Sequence, residues 1–300
     1  MSLSDPSTEA PNPRTADFDR LPLLERARLM NDEDRRVPES VGAVLPQVVA
    51  AVGRIADALR RGGRLLYVGA GTSGRLAALD AAEIPPTFGV APSVVQAVIA
   101  GGPRALCEAV EAAEDDPEAG GREVDLRGVG PGDCVVGVTA SGRTPFVLGA
   151  VARARERGAF TVGVACAPGS PLEARCDLAI VPVTGPEVIA GSTRLKAGTA
   201  QKLVLNMLST LAMVELGKVY GNLMVDLRPT NAKLRARAVR ILVRIAGASE
   251  EAAERALAEA GWRVPVAAVM LARGVDAAQA DSLLARAGGS LRRALEGAAP

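Results

Sequence analysis

The chain contains no histidine. That absence removes Ser-His-Asp triads, His-ligated metals and imidazole proton shuttles, so any acid-base chemistry falls to Asp, Glu, Lys, Tyr or Cys. Aromatic residues make up only 2% of a chain that is 48% hydrophobic. The core must therefore be filled with Ala, Val, Leu and Ile, and the rings that stack bases on single-stranded nucleic acid are missing. Charge of one sign is missing too: 35 basic residues face 34 acidic ones, and no basic block marks a nucleic-acid or membrane-surface footprint. Cys107, Cys134, Cys166 and Cys176 show no CxxC spacing, and a chain of this length needs no disulfide framework, which points to a reducing compartment. No uninterrupted apolar run approaches the roughly 18 residues of a membrane span. Met1 to Thr15 is rich in Ser, Pro and charge where a signal peptide would be apolar. The expectation is a cytoplasmic protein with neither nucleic-acid nor membrane partners.

What is present is an alternation. After a Pro-rich arm, helical patterns run from about Leu23 to Asn31 and from Val41 to Arg61. Short β-branched runs follow at Leu65 to Gly69, Val94 to Ala100, Cys134 to Thr139, Thr161 to Ala165 and Leu178 to Val183, with helical segments after most of them. This pattern predicts right-handed βαβ units, hence an α/β fold with a parallel sheet flanked by helices. A long apolar helix is expected from Lys196 to Leu216. Beyond Arg235 no strand signal intervenes, and Ser249 and Asp276 read as helix caps. The expected division is an arm with helices over 1–47, a sheet domain over 48–234 and a small all-helical domain over 235–300.

Two segments carry anion-binding chemistry. Gly69-Ala70-Gly71-Thr72-Ser73-Gly74-Arg75 follows a strand and opens a helix, where glycines let backbone N–H groups approach an anion and the helix amino terminus adds positive potential. Its GxGxxG form admits a dinucleotide, but the next strand ends in Ala100-Gly101-Gly102 where a ribose-binding acid belongs. The second segment, Thr139-Ala140-Ser141-Gly142-Arg143-Thr144-Pro145, follows the third strand. Carboxyl ends of parallel strands share one edge of the sheet, so both loops can converge on one phosphate through Ser73, Thr139, Ser141 and Thr144. Each hydroxyl taken alone is equally a helix cap, and Arg75 and Arg143 are equally structural.

Two glutamates are placed oddly. At about 100° per residue, Glu83 shares a face with Leu76 and Leu79, and Glu114 shares one with Cys107 and Val110. Pro85-Pro86 and Pro117 place both near expected helix carboxyl ends, where the macrodipole and partial burial disfavour a carboxylate. Carboxyls tuned upward suit general acid-base work in a chain without histidine. A polar strip from Gly191 to Lys202 opens the long helix and includes Lys196, which reads as a ligand contact or as part of a solvated turn.

With these motifs the sequence resembles the N-acetylmuramic acid 6-phosphate etherases of the sugar isomerase (SIS) domain family. The matching segments are Leu29 to Asp34, Gly69 to Leu76, Asp80 to Thr87, Ala113 to Asp115, Ala140 to Pro145, Gly191 to Asn206 and Gly221 to Asp226. The resemblance implies cleavage of the D-lactyl ether of N-acetylmuramate 6-phosphate, giving N-acetylglucosamine 6-phosphate and D-lactate in cell-wall recycling. It implies no metal and no organic cofactor, a homodimer, a flavodoxin-like sheet domain and a UBA-like helical domain. Carried over by motif position, Glu83 is the proton donor to the departing lactyl oxygen and Glu114 the second acid-base group. A sugar-phosphate isomerase would use the same loops but often enlists a histidine, and a sugar-phosphate sensor would not need both glutamates.

Overall fold

Five short runs rich in Val, Leu, Ile and Ala become strands, two of them buried at every position and the others in part, which is why they read as continuous apolar runs and not as alternation. In the computed structural model, which describes residues 8–110, 112–227, 229 and 231–297, these are β1 (Leu65–Gly69), β2 (Val95–Ile99), β3 (Cys134–Val138), β4 (Phe160–Val164) and β5 (Leu178–Ile180). All pair in parallel in the order β2-β1-β3-β4-β5. Leu65 is in register with Val95 on one side and with Cys134 on the other. The order reverses between β1 and β3, the feature that creates a ligand-binding crevice at the carboxyl ends of such sheets.

Helices α1 (Leu23–Asp34), α2 (Val37–Gly42) and α3 (Leu45–Arg60) precede the sheet. The single helix expected from Val41 to Arg61 is thus two. Pro46 lies in the first turn of α3, and its ring would clash with the Gly42 carbonyl if the helix ran through. Between strands lie α4 (Gly71–Phe88), α5 (Pro117–Leu126), α6 (Pro145–Glu156) and α7 (Pro171–Arg175), and after them α8 (Lys196–Glu215). One face of the sheet, including Leu66, Val68, Val98 and Val135, packs with Phe146, Val147, Ala150 and Val151 of α6 and Val124 of α5 in an aliphatic core. β5 ends at Ile180, short of the expected Val183, because Pro182 has no N–H for the ladder.

The chain forms two units, Met1–Ala81 with Ser93–Ser209, and Ala82–Pro92 with Thr210–Pro300. The second holds a two-stranded hairpin, β6 (Val219–Tyr220) and β7 (Leu223–Met224), and helices α9 (Ala232–Ala246), α10 (Glu250–Glu259), α11 (Val264–Arg273), α12 (Ala277–Arg286) and α13 (Leu291–Glu296). The hairpin is too short for a strand signal. Its helices enclose a core of their own around Leu242, Leu257, Ala267 and Leu291. Ser249 caps α10, and Asp276 forms a reciprocal capping box with Gln279 on α12. No single helix among the described residues is long and apolar enough to cross a membrane.

At the amino edge of the sheet, Asp133 clamps β1 to β3. Its carboxylate accepts hydrogen bonds from the Arg64 backbone N–H (2.9 Å), from Arg64 Nε and Nη2 (3.1 and 2.7 Å) and from the Gly130 N–H (3.1 Å). Burial alone would raise the Asp133 pKa, but the Arg64 and Gly130 bonds outweigh it and hold the carboxyl below its ordinary value. The clamp is therefore complete at neutral pH and is lost as pH falls through that lowered value. Asp133→Ala is expected to cost about 2–3 kcal/mol in urea melts at pH 7, the scale of hydrogen bonds to a charged group. The gap from the parent protein should close as the pH is taken below the ordinary carboxylate range.

Candidate active site

The crevice between β1 and β3 is built by the two loops that leave those strands. After β1 the chain turns at Ala70 into α4, with Gly71 at φ +50°. Gly74 lets this helix start lie against β2, since a Cβ there would stand 2.6 Å from Ile99 Cγ1. After β3 the chain passes through Gly142 at φ +67°, where a Cβ would meet Ser170 Oγ at 2.2 Å, and enters α6 at Pro145. Two helix amino termini thus open side by side, each with N–H groups that lack intrahelical acceptors and favour an anion.

A cleft of about 430 Å³ lies between them, lined by Gly71, Thr72 and Ser73 from the first loop and by Ser141, Arg143 and Thr144 from the second. Glu114, Asp115, Thr193 and Glu9 complete its wall. Of the residues expected at a phosphate site, Ser73, Ser141 and Thr144 line the cleft. Thr139 stands behind it, its hydroxyl 2.7 Å from that of Thr144, so it orients Thr144. Ser141 Oγ accepts the Arg143 N–H at 3.2 Å, which tightens the turn.

Ser73 is buried and donates to Gln201 Oε1 at 2.9 Å, while Gln201 Nε2 is buried without a partner among the described residues. Turning the Gln201 carboxamide over would satisfy that nitrogen on Ser73 and release the serine proton into the cleft. The two arginines separate cleanly. Arg75 donates to the Leu106 and Glu108 carbonyls (3.2 and 2.8 Å) and pins that segment. Arg143 lines the cleft with its Nε buried and unpartnered, an arrangement that an anionic oxygen completes.

The glutamates differ from expectation. α4 does not end before Pro85 but continues through both prolines to Phe88, so Glu83 is not at a helix carboxyl end. It belongs to the second unit and is exposed there. The helical stripe joining Cys107, Val110 and Glu114 does not form. Pro103–Leu106 is a 3-10 turn, Ala112 takes a left-handed φ of +61°, and Glu114 sits in the short 3-10 turn Ala113–Asp115. Glu114 is exposed and faces the cleft. The partial burial expected of both glutamates is thus absent in the single chain. Asp80, three residues before Glu83, is the half-buried acid of that motif. It accepts from Tyr67 Oη and Ser209 Oγ, each at 3.0 Å, and burial raises its pKa against those two bonds. Its position ties α4 to β1 and α8.

Lys196 does not reach the cleft: its ammonium is buried and bonded to Glu33 Oε2 at 2.5 Å. The buried thiols of Cys134 and Cys166 are both pushed up to about 12, chiefly by burial, and are inert. Among the described residues no three His, Cys, Asp or Glu side chains are grouped to hold a metal. β2 is followed by Ala100-Gly101-Gly102, with no acid for a ribose.

Comparison with known proteins agrees with this geometry. Residues 47–155 match a family model described as the glucokinase regulatory protein N-terminal SIS domain, residues 117–211 match the SIS domain, and residues 221–263 match the C-terminal lid domain of glucokinase regulatory protein. The chain is 54% identical over 292 residues to the N-acetylmuramic acid 6-phosphate etherase of Streptomyces avermitilis, covering 97% of this chain and 94% of that protein. It is 54% identical over 295 residues to that of Mycolicibacterium smegmatis (98% and 99% covered) and 53% identical over 295 residues to that of Yersinia pestis strain Pestoides F (98% and 100% covered). The chain belongs to the N-acetylmuramic acid 6-phosphate etherase family. The SIS matches coincide with the sheet and its two loops, and the lid-domain match begins at the hairpin turn.

Glu9 and Thr193 in the cleft wall, and Gln201 behind Ser73, are the residues that sequence reasoning did not single out. Glu9 lies in a Pro-rich arm with no periodicity to read, and Gln201 lies inside a polar strip in which no one residue stands out. Arg143→Ala should weaken inorganic phosphate binding, measured by calorimetry, by roughly tenfold or more, as expected for loss of a charge-assisted hydrogen bond. Arg75→Ala should lower the melting temperature and leave phosphate affinity within about twofold, since its guanidinium is engaged by carbonyls.

Proposed function

We propose that the chain cleaves the D-lactyl ether at C3 of N-acetylmuramate 6-phosphate, releasing D-lactate and leaving N-acetylglucosamine 6-phosphate. The observation that carries this reading is 53–54% identity, across 97–98% of the chain, to proteins named for that activity. The cleft fits the substrate class: two helix amino termini, three hydroxyl side chains and Arg143 suit the 6-phosphate, and the carboxylates lining it suit the sugar.

The chemistry follows from the open-chain sugar. The C1 aldehyde acidifies the C2 proton, a carboxylate removes it, and the electron pair forms the C2–C3 double bond as the C3–O bond breaks. The lactyl oxygen takes a proton and D-lactate leaves. Water then adds, its hydroxyl to C3 and a proton to C2. We assign Glu83 as donor to the lactyl oxygen and Glu114 as the second acid-base group. Ser73, Ser141 and Thr144 hold the phosphate, with Thr139 behind Thr144.

We further propose a cytoplasmic homodimer. Glu114 lines the cleft, whereas Glu83 is exposed and is not among the residues lining it. In such a dimer each cleft takes its second glutamate from the partner subunit's Glu83. Glu83→Gln and Glu114→Gln should each lower D-lactate release by roughly a hundredfold or more with substrate still bound, the scale of a positioned acid-base group. Co-assembly of the two inactive variants should restore about a quarter of the parental sites, because each mixed dimer holds one intact pair. No recovery on mixing would place both glutamates in one chain.

A further inference from the structure

We propose that the amino-terminal arm is a wall of the sugar-phosphate cleft, held there by a buried ion pair between Lys196 and Glu33, with Glu9 as a specificity-determining acceptor for a sugar hydroxyl. This rests on the sugar-phosphate reading of the cleft.

The pair is made of two side chains withdrawn from water, Lys196 at 1% and Glu33 at 0% exposure. Charges buried to that degree persist only when paired and hydrogen-bonded on all sides. Glu33 is surrounded by four cationic or amide nitrogens, its Oε2 hydrogen-bonded and its Oε1 facing arginines without a hydrogen bond among the described residues. Lys196 Nζ donates at 2.5 Å and Asn12 Nδ2 at 3.1 Å, while Arg14 Nε stands 3.1 Å and Arg36 Nη1 3.6 Å away. A second buried carboxylate, Glu187, accepts the backbone N–H groups of Lys196 and Ala197 at 3.0 and 2.9 Å, which caps α8. Lys196 is thereby fixed at its backbone by Glu187 and at its ammonium by Glu33.

Asn12 and Arg14 belong to the arm, and they are why Glu33 holds it. Asn12 Nδ2 also lies 3.3 Å from the Pro186 carbonyl, and Thr15 Oγ1 donates to the Val188 carbonyl at 2.8 Å. The arm is therefore stitched along the segment that carries Glu187. Three residues before Asn12, Glu9 enters the cleft beside Ser73, Ser141 and Thr193. Its Oε2 rests against Gly191, where a Cβ would stand only 2.8 Å away. A side chain at residue 191 would push Glu9 out, and φ +75° at that position already favours glycine. A carboxylate held in this wall accepts hydrogen bonds from sugar hydroxyls.

The test is a double-mutant cycle on the parent protein with N-acetylmuramate 6-phosphate as substrate. Glu9→Ala, an exposed position, should fold as the parent does, raise KM for the sugar roughly tenfold, change kcat by less than about twofold and leave inhibition by inorganic phosphate unaltered. Lys196→Met should raise KM in the same way, and the double variant should be no worse than Lys196→Met alone, because the arm has already left the cleft. If Lys196→Met does not fold, Asn12→Ala cuts the same tie from the arm side and takes its place. An unchanged KM for Glu9→Ala, or effects that add in full, would overturn the proposal. Absence of D-lactate from the parent would instead sink the etherase reading, so the two failures are distinguishable.

Discussion

The fold depends on one constraint: a helix leaves its first N–H groups without acceptors, and here two helices begin next to each other where the strand order of a parallel sheet reverses. Nothing in the sheet can satisfy those groups, because β1 and β3 both end at that edge. The residues around them are chosen for an anion, with no side chain at Gly71 and Gly142, hydroxyls at Ser73, Ser141 and Thr144, and the Nε of Arg143, unpartnered among the described residues. The remainder of the sheet domain serves to keep this edge rigid. The Arg64–Asp133 clamp fixes the opposite edge of β1 and β3, and the Tyr67–Asp80–Ser209 bonds fix α4 beneath its own start.

The strands and both loops were legible because their signals are local. A buried parallel strand is a short aliphatic run, and a phosphate loop is glycine and hydroxyls at the end of one. The misreadings occurred where structure is decided by distant residues or by backbone conformation. The stripe from Cys107 to Glu114 assumed a helix, but Ala112 takes a positive φ within it and breaks it. Pro85 and Pro86 were expected to stop α4, which instead continues past them to Phe88. Lys196 read as a solvated cation or a ligand contact, because its partner Glu33 lies 163 positions away in the sequence. No periodicity reports a contact of that separation.

A chain without histidine that performs proton transfers must divide its carboxylates by task, and the structure shows the division. Glu33, Glu187, Asp80 and Asp133 are committed to cations, backbone N–H groups or hydroxyls and hold elements together. Glu114 faces the cleft, and Glu83 is exposed, with no such engagement described for either. Acids left open to substrate, beside others engaged by cations, N–H groups and hydroxyls, are what an elimination needs.

The central claim is tested most directly by incubating the folded protein with N-acetylmuramate 6-phosphate in deuterated water with excess chelator, then assaying D-lactate and the sugar product. The account predicts equimolar D-lactate and N-acetylglucosamine 6-phosphate, the latter carrying solvent deuterium at C2. No D-lactate, or a ketose phosphate in its place, would contradict it.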